Sequence, residues 1–199
     1  MPAPALGSAP PSLTTRVVTD RLVLRPPRPS DVPELRHVLR ANEAHLRPWE
    51  PLPPSGEDPT SITFLSSLVS RQRTDWKRGL SFTLLIAHRS KGQPIVGRVT
   101  AGAIIRGAFL NAHLGYWMDH ARQGQGLMTE AVTGLFEFAF NVAGLHRVQI
   151  AIMPKNAPSL RVMEKLGVRK EGFAERYLKI AGRWEDHVIF ARTKEEWGA

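Results

Sequence analysis

The spacing of apolar residues in the first third of the chain predicts one strand, two helices and a loop. Residues 16–26 are predicted to form the strand. A helix is predicted to begin at Asp31, because Glu34 stands three positions further on, as in a capping box. Five prolines between positions 47 and 59 predict a structured loop. A second helix follows, with an apolar stripe of Ile62, Leu65, Leu68 and Val69.

Three strand-like segments follow one another in the middle of the chain, at residues 80–88, 94–106 and 111–118. Short turns separate them, which favours an antiparallel meander. The last third alternates helix, strand, helix and two strands around a turn at Ala181 and Gly182. We therefore expect an α/β or α+β fold of three layers, with helices on both faces of a mixed, mostly antiparallel sheet of about seven strands.

Length and composition agree with one domain. The chain has 199 residues, of which 42% are apolar, and domains usually contain about 100–200 residues. Residues 1–15 are predicted to form a flexible tail ahead of a single domain at residues 16–199. The N-terminal stretch lacks the basic and apolar segments of a signal peptide, and no apolar run approaches the roughly 18 residues of a membrane span. A cytoplasmic protein is therefore expected.

The net charge and the lack of cysteine exclude some kinds of catalytic and metal site and favour certain ligands. Without cysteine there is no disulfide, thiolate metal site or cysteine nucleophile. A formal net charge of +9 predicts attraction of polyanions such as a cofactor, ribosomal RNA or an acidic substrate, although the dispersed arginines also fit compositional bias. No metal site is expected, because four histidines lack the spacing of zinc ligands. They are His113, His120, His146 and His187.

Residues 121–130 contain two glycines, Gly124 and Gly126, between a strand-like and a helix-like segment. Free backbone N–H groups and the positive end of the helix dipole favour an anion at such a helix start, and glycines let a pyrophosphate approach the backbone. The run lacks the spacing of a P-loop, and Thr129 replaces the third glycine of a dinucleotide fold. It therefore predicts a phosphate cradle, with an ordinary tight turn as the alternative.

A second polar motif follows the next predicted strand, at residues 146–152. Asn156 and Ser159 are residue types that cap helices, and Pro158 suits a first helical turn. Helix capping alone would explain all three residues.

Together the two motifs resemble the GCN5-related N-acetyltransferases (GNAT), which share the order strand, Gly-x-Gly, helix, strand, Asn-x-x-Ser, helix. Segments 19–25, 45–51 and 182–188 extend the resemblance over nearly the whole chain, to bacterial ribosomal-protein-alanine N-acetyltransferases of the Rim type. Pro-Trp-Glu-Pro and Gly-x-Trp-x-Asp-His-Val are its distinctive parts. The resemblance implies direct acetyl transfer from acetyl-CoA to an amine, specifically the N-terminal alanine or serine of a ribosomal protein.

The resemblance also implies a cofactor site. In this family the glycine loop binds acetyl-CoA through its amides, and the Asn-x-x-Ser motif reaches the pantetheine arm and the thioester sulfur. The implied residues are Trp117, Met118, Arg122, Gln123, Gly124, Gln125, Gly126, Leu127, Met128, Asn156 and Ser159.

Each step of the transfer has a candidate residue. Glu50 is expected to hold or deprotonate the substrate amine, with a loop or cap hydrogen bond as the alternative. Gly115 predicts a strand bulge whose N–H could stabilise the thioester oxygen, unless it packs beneath a large neighbour. Ser159 is expected, by its family position, to donate to the departing thiolate, with the catalytic alternatives Tyr177 and Tyr116 in reserve.

The acceptor pocket is expected to contain aromatic and acidic side chains, although packing is the commoner role of tryptophan. These residues are Trp49, Glu50, Tyr116 and Trp184. A relay between Asp186 and His187 is not expected, because neighbours on a strand point to opposite faces.

Two other functions fit the sequence. The same fold could acetylate a small amine such as an amino acid, a polyamine or an antibiotic. A non-catalytic factor associated with the ribosome or RNA would also have a basic surface. The expected partners are acetyl-CoA and a protein N-terminus, with ribosomal RNA nearby, and the chain is expected to be a monomer or a homodimer.

Overall fold

The fold is built on a sheet in which eight strands are described. A computed structural model describes residues 9–53 and 56–198. The strands are β1 (Val17–Val18), β2 (Leu22–Arg25), β3 (Phe82–His88), β4 (Ile95–Ile105), β5 (Asn111–Met118), β6 (Arg147–Ile152), β7 (Arg169–Ile180) and β8 (Arg183–Thr193). Their order is β1-β2-β3-β4-β5-β6-β8-β7. Only the β5–β6 pair is parallel among these described strands.

Helices cover both faces of this sheet. They are α1 (Val32–Ala41), α2 (Glu43–Leu46), α3 (Ile62–Lys77), α4 (Leu127–Glu137), α5 (Ala157–Lys165) and α6 (Lys194–Gly198). On one face, Leu135 of α4 and Met163 of α5 belong to the larger apolar core. On the other face, Leu35 of α1 and Leu65 of α3 pack with Trp117 of β5. The predicted three-layer fold with a mostly antiparallel sheet is confirmed.

The elements of the middle of the chain are also confirmed, since β3, β4 and β5 form the predicted meander. The extra strand arises at the N-terminal end, where the predicted strand 16–26 is interrupted. The Thr19 N–H donates to Leu22 O at 3.0 Å, and the Leu22 N–H donates to Thr19 Oγ1 at 3.1 Å. These two bonds close a turn that separates β1 from β2.

The predicted capping box before α1 is wrong, although the helix itself is confirmed. Asp31 makes no side-chain cap bond; its carboxylate accepts from both Arg25 Nη1 and Nη2, at 2.7 and 2.8 Å. Burial alone would raise the pKa of Asp31, but the bonds from Arg25 and Arg28 outweigh burial and lower it. Glu34 accepts from the Ile95 N–H at 2.7 Å instead. Both carboxylates therefore join α1 to the sheet.

The N-terminal tail is described only from residue 9, so its predicted flexibility at residues 1–8 lies outside the described residues, as does Pro54 of the proline-rich loop. Trp76 Nε1 donates to Pro11 O at 2.6 Å, and Leu13 packs against the larger core. Ordered contacts therefore begin before residue 16. None of the helices described here combines the length and apolarity that a membrane crossing requires.

The parallel pair β5–β6 creates the main opening in the sheet. Pairing runs only from Asn111↔Arg147 to Leu114↔Ile150. Beyond these residues β5 remains paired with β4 as far as Met118, and β6 remains paired with β8 as far as Ile152. The two strands therefore part from each other in the middle of the sheet.

Candidate active site

A cavity of about 1030 Å³ lies at the opening between β5 and β6 and continues beneath α3. Ligand pockets usually measure about 300–1,000 Å³, so this one has room for more than a small amine. Gly115 and Tyr116 line it from β5, Ala151 from β6, and Asn156 and Ser159 from α5.

The glycine loop stands at the end of β5 and leads into α4. Gly126 is the N-cap residue of α4, with φ +75°, and Gly124 has φ +73°. Both glycines therefore occupy the left-handed region that other residues rarely adopt. The predicted position of the glycines at a helix N-terminus is confirmed. Free N–H groups of the first helical turn are available to an anion there.

Side chains around the loop fix its shape. Arg21 Nη1 donates to Gln125 O at 2.9 Å, and Arg21 pairs with Glu130 at 2.7 Å. Gln123 Nε2 bonds His45 Nε2 at 2.8 Å. Burial, reinforced by the nearby His120, lowers the pKa of His45. Arg122 lies in the short helical segment His120–Arg122 just before the loop, half-buried. Two arginines thus lie close to the two glycines.

The Asn-x-x-Ser motif opens α5 beside the cavity. Asn156 Oδ1 accepts from the Ser159 N–H at 3.2 Å, so Asn156 is the cap and Ser159 is not. The Tyr116 hydroxyl donates to Ser159 O at 3.4 Å. Burial raises the pKa of Tyr116 to about 12, so its hydroxyl stays protonated near neutral pH. Tyr116 of β5 therefore contacts the first turn of α5 at the cavity.

Glu50 lies on the opposite side of the cavity. It follows the short helical segment Arg47–Trp49, and its backbone O accepts from the Ala181 N–H at 3.0 Å. Its side chain is half-buried, lines the cavity and makes no hydrogen bond to any described residue. The alternative of a side-chain cap or loop bond is therefore not supported.

Similarity to known proteins identifies the family. Residues 21–169 match the sequence model of the family described as "Acetyltransferase (GNAT) domain". The chain belongs to the GNAT family of acetyltransferases.

Three proteins illustrate what this GNAT enzyme is similar to. The ribosomal protein uS5-alanine N-acetyltransferase of Escherichia coli is 32% identical over 182 residues, which cover 92% of each chain. The probable N-acetyltransferase YjcK of Bacillus subtilis is 46% identical over 97 residues, 49% of this chain and 54% of that protein. The chain thus matches about half the length of that relative. The solved structure of Mycobacterium smegmatis RimJ in complex with CoA-disulfide has a TM-score of 0.82 and 33% identity, covering 88% of this chain and 83% of that one.

Two of the residues predicted for the acceptor pocket or for catalysis do not line the cavity of this GNAT enzyme. Trp49 and Tyr116 line it with Glu50, whereas Trp184 is 62% exposed and Tyr177 is not part of the lining. Tyr177 instead accepts from Gln149 Nε2 at 3.3 Å. Both residues belong to the β7–β8 hairpin, which extends beyond the region that β6 covers.

The bulge predicted in β5 needs correction, and so does its packing alternative. The bulge expected at Gly115 is wrong, because Gly115 pairs regularly with Thr100 and the register shift falls between Gly102 and Ile105 of β4. No atom lies within 4 Å of the Cβ that Gly115 lacks, so packing beneath a large neighbour is also excluded. Trp117 packs with α1 and α3, whereas Met118 packs with the larger core. The two predicted cofactor residues therefore face opposite sides of the sheet.

The sequence interpretation did not place Arg98 or His187 at the cavity, although both residues line it. His187 is 3% exposed, and its Nδ1 lies 2.9 Å from Glu185 O. A carbonyl oxygen only accepts, so Nδ1 carries the proton and Nε2 of a neutral ring is an acceptor. Asp186 is turned elsewhere, since it accepts from the Arg176 N–H. The sequence signal that could have placed each residue at the cavity is a polar side chain at a strand position that faces the interior.

The histidines give no indication of a metal centre. In the part of the chain that the structure describes, no three histidine, aspartate or glutamate side chains come together as metal ligands. His146 pairs with the exposed Glu195 at 3.1 Å. Burial, with Arg147 nearby, lowers the pKa of His113.

Paired substitutions should separate capping from catalysis in the Asn-x-x-Ser motif. Asn156→Ala should lower the free energy of unfolding by about 1 kcal/mol, because α5 loses its N-cap. Ser159→Ala should change stability by less than about 0.5 kcal/mol, because its hydroxyl makes no hydrogen bond to any described residue. Urea unfolding and steady-state kinetics of both variants provide the measurement. A hydroxyl that protonates the thiolate predicts a kcat about threefold lower in Ser159→Ala with KM unchanged; an unchanged kcat would contradict it.

Proposed function

We propose that this GNAT enzyme transfers the acetyl group of acetyl-CoA to the α-amino group of a protein that begins with alanine or serine, with a ribosomal protein as acceptor. The observation that carries the proposal is the cavity, which joins the opening between β5 and β6 to Glu50 beneath α3. The named activity of the Escherichia coli relative, matched over 92% of both chains, supports the same acceptor class.

Acetyl-CoA would bind at the opening of the sheet. The amides around Gly124 and Gly126 would hold its pyrophosphate at the start of α4, and Arg21 and Arg122 would add positive charge. The backbone of β5 beyond Leu114, which is unpaired on the side of β6, would meet the pantetheine arm. The RimJ structure of Mycobacterium smegmatis contains CoA-disulfide, which supports this choice of cofactor.

The amine would attack the thioester carbonyl directly, since the chain has no cysteine to carry the acetyl group. The new bond joins the amine nitrogen to the acetyl carbon, and the carbon–sulfur bond breaks. Glu50 would hold the ammonium form and receive its first proton, which leaves a neutral amine to attack. The nitrogen loses its second proton as the carbon–sulfur bond breaks. That proton would reach the thiolate through the hydroxyl of Ser159 or Tyr116, which gives its own proton to the sulfur and takes up this one. A protein α-amino group has a pKa of about 7.7–8.0, so a weak base suffices near neutral pH.

A thermal-shift experiment tests the cofactor. Acetyl-CoA at a hundred times its dissociation constant should stabilise the fold by about 2.7 kcal/mol. An unchanged melting temperature up to millimolar acetyl-CoA would favour the non-catalytic reading, in which the basic surface serves ribosome or RNA contact.

Intact-mass analysis tests the acceptor. Peptides that begin with alanine, serine or methionine are incubated with enzyme and acetyl-CoA beside free amino acids and polyamines. We expect a gain of one acetyl group on the alanine and serine peptides. Acetylation of free amines without any peptide product would assign the chain to the small-amine class.

The cellular setting of this reaction is also a proposal. Action on ribosomal proteins requires a cytoplasmic location and access to the ribosome, where the net charge of +9 would favour ribosomal RNA nearby. A monomer or a homodimer would serve equally well.

A further inference from the structure

Arg98 is a half-buried cation at the wall of the cavity, with no ion-pair partner among the described residues. It lies on β4, and its Nε–H group is buried with no acceptor among the described residues. None of the eight ion pairs in the described part of the chain includes it. Burial lowers the pKa of Arg98, and the Glu50 carboxylate opposes this change. Arg98 is therefore poised to receive an anion.

Trp117 provides a second buried donor beside it. Arg98 and Trp117 are cross-strand partners of β4 and β5, so their side chains stand on the same face with Cβ atoms about 4.5–5.5 Å apart. The Trp117 side chain is 6% exposed, and its Nε1–H also has no acceptor in the described ranges. Both residues line the cavity.

Buried donors without acceptors, such as Arg98 Nε–H and Trp117 Nε1–H, destabilise a folded protein. Neighbouring hydroxyl groups do not relieve this cost, because neither donor has a hydrogen-bond acceptor within reach among the described residues. Two unpaired donors side by side at a cavity wall match a ligand oxygen that carries negative charge. A singly charged carboxylate fits better than a phosphate dianion, since the Glu50 carboxylate near Arg98 would repel the dianion more strongly.

We propose that Arg98 and Trp117 form a subsite for a carboxylate of the acceptor substrate, an inference that rests on the acceptor function proposed above. Strand β4 lies next to β5, and adjacent strands are about 4.8 Å apart. The subsite is thus one strand away from the opening at which the amine would react. A peptide whose amine reacts at the opening would place in the subsite an acidic side chain at its second to fourth residue. A free amino acid would place its own carboxylate there.

Matched peptides test the subsite. Alanine-starting peptides with glutamate at position two, three or four are compared with peptides that carry glutamine at the same position, and free alanine is compared with alanine amide. We expect kcat/KM to favour glutamate about fivefold at one of these positions, as for a charge-assisted bond. In Arg98→Gln this preference should disappear, as measured by the ratio of kcat/KM for the glutamate and glutamine peptides within that variant, so that any effect of Arg98 on Glu50 cancels. Trp117→Phe, which keeps the aromatic packing, should reduce the preference partly.

Arg71 offers a matched control, because it is exposed on α3 and also lines the cavity. Arg71→Gln should shift the preference only slightly, and the shift should vanish in high salt. Arg98→Leu tests for a purely structural role, since removal of a half-buried cation that has no ion-pair partner among the described residues should leave the melting temperature equal to or above that of wild type. A marked loss of stability in both Arg98 variants would overturn the proposal.

The results distinguish the subsite from the acceptor function. Equal rates for glutamate and glutamine at all three positions would overturn the subsite and leave N-terminal acetylation intact. If free alanine is acetylated but no peptide is, the peptide acceptor is refuted. The subsite would then stand only if alanine amide is a poor substrate of the wild type and free alanine is a poor substrate of Arg98→Gln. If no acceptor reacts, calorimetric titration of the glutamate and glutamine peptides into enzyme with CoA decides, and equal affinities would overturn the subsite.

Discussion

Valine in place of Gly124 or Gly126 is expected to lower the affinity for CoA at least a hundredfold, about 2.7 kcal/mol. Both glycines have a positive φ, at +73° and +75°, which a β-branched residue strongly resists. A loop that relaxes to negative φ would turn its N–H groups away from a bound phosphate. A retained φ would leave a valine side chain in the space that the phosphates need. Isothermal titration with CoA measures the loss.

This loss of CoA affinity would not result from a steric clash within the protein. No atom lies within 4 Å of the Cβ that Gly124 lacks, and Arg21 Nη2 lies 3.6 Å from that of Gly126. A valine at either position would therefore meet little of the protein itself. The two variants are expected to fold, so a loss of affinity would report on the ligand site.

Gly107 provides a control with the same backbone strain. It has φ +72°, has nothing within 4 Å, and lies in the turn between β4 and β5. Gly107→Val should lower the melting temperature as the loop variants do, yet keep CoA affinity within about twofold. Near-normal CoA affinity in both loop variants would remove the glycine loop from the cofactor site.

Features encoded by local sequence were predicted well. The strands β3, β4 and β5 have strand-like patterns between turn residues, and they form the expected meander. Gly126 was identifiable because few residues other than glycine adopt its φ. Asn156 was identifiable as a cap because its side chain bonds three residues along the chain. In each case the deciding interaction is short-range.

Features that depend on distant contacts were not predictable. Glu34 bonds the Ile95 N–H across sixty-one positions of sequence rather than closing a capping box. The orientation of Tyr177 could not follow from alternation, because the β7–β8 register shifts between Ala174 and Leu178. The local pattern alone shows that Arg98 lies on a strand. The cavity beside Arg98 exists because β5 and β6, two strands that are distant from each other in sequence, separate beyond Leu114 and Ile150.

Glu50 is the residue on which the acceptor proposal depends most. Its carboxylate lines the cavity without a hydrogen-bond partner in the described chain, so it is available to a substrate ammonium group. Glu43 supplies a matched control, because it lines the same cavity but is exposed at the start of α2. Glu43→Gln should leave peptide kinetics within about twofold of wild type.

Glu50→Gln should keep the fold and the affinity for acetyl-CoA while lowering kcat/KM for alanine- and serine-starting peptides at least tenfold, about 1.4 kcal/mol. Glutamine keeps the size of the side chain but neither balances an ammonium charge nor accepts its proton. A rise in pH above the α-amino pKa of about 7.7–8.0 should recover part of the loss, because more of the amine then arrives neutral. Stopped assays across pH 6.5–9.5, an experimental range of roughly one and a half units either side of that pKa, provide the measurement. Peptide kinetics equal to wild type throughout would remove Glu50 from the site and make His187 Nε2, a buried acceptor on the cavity wall, the group to test next.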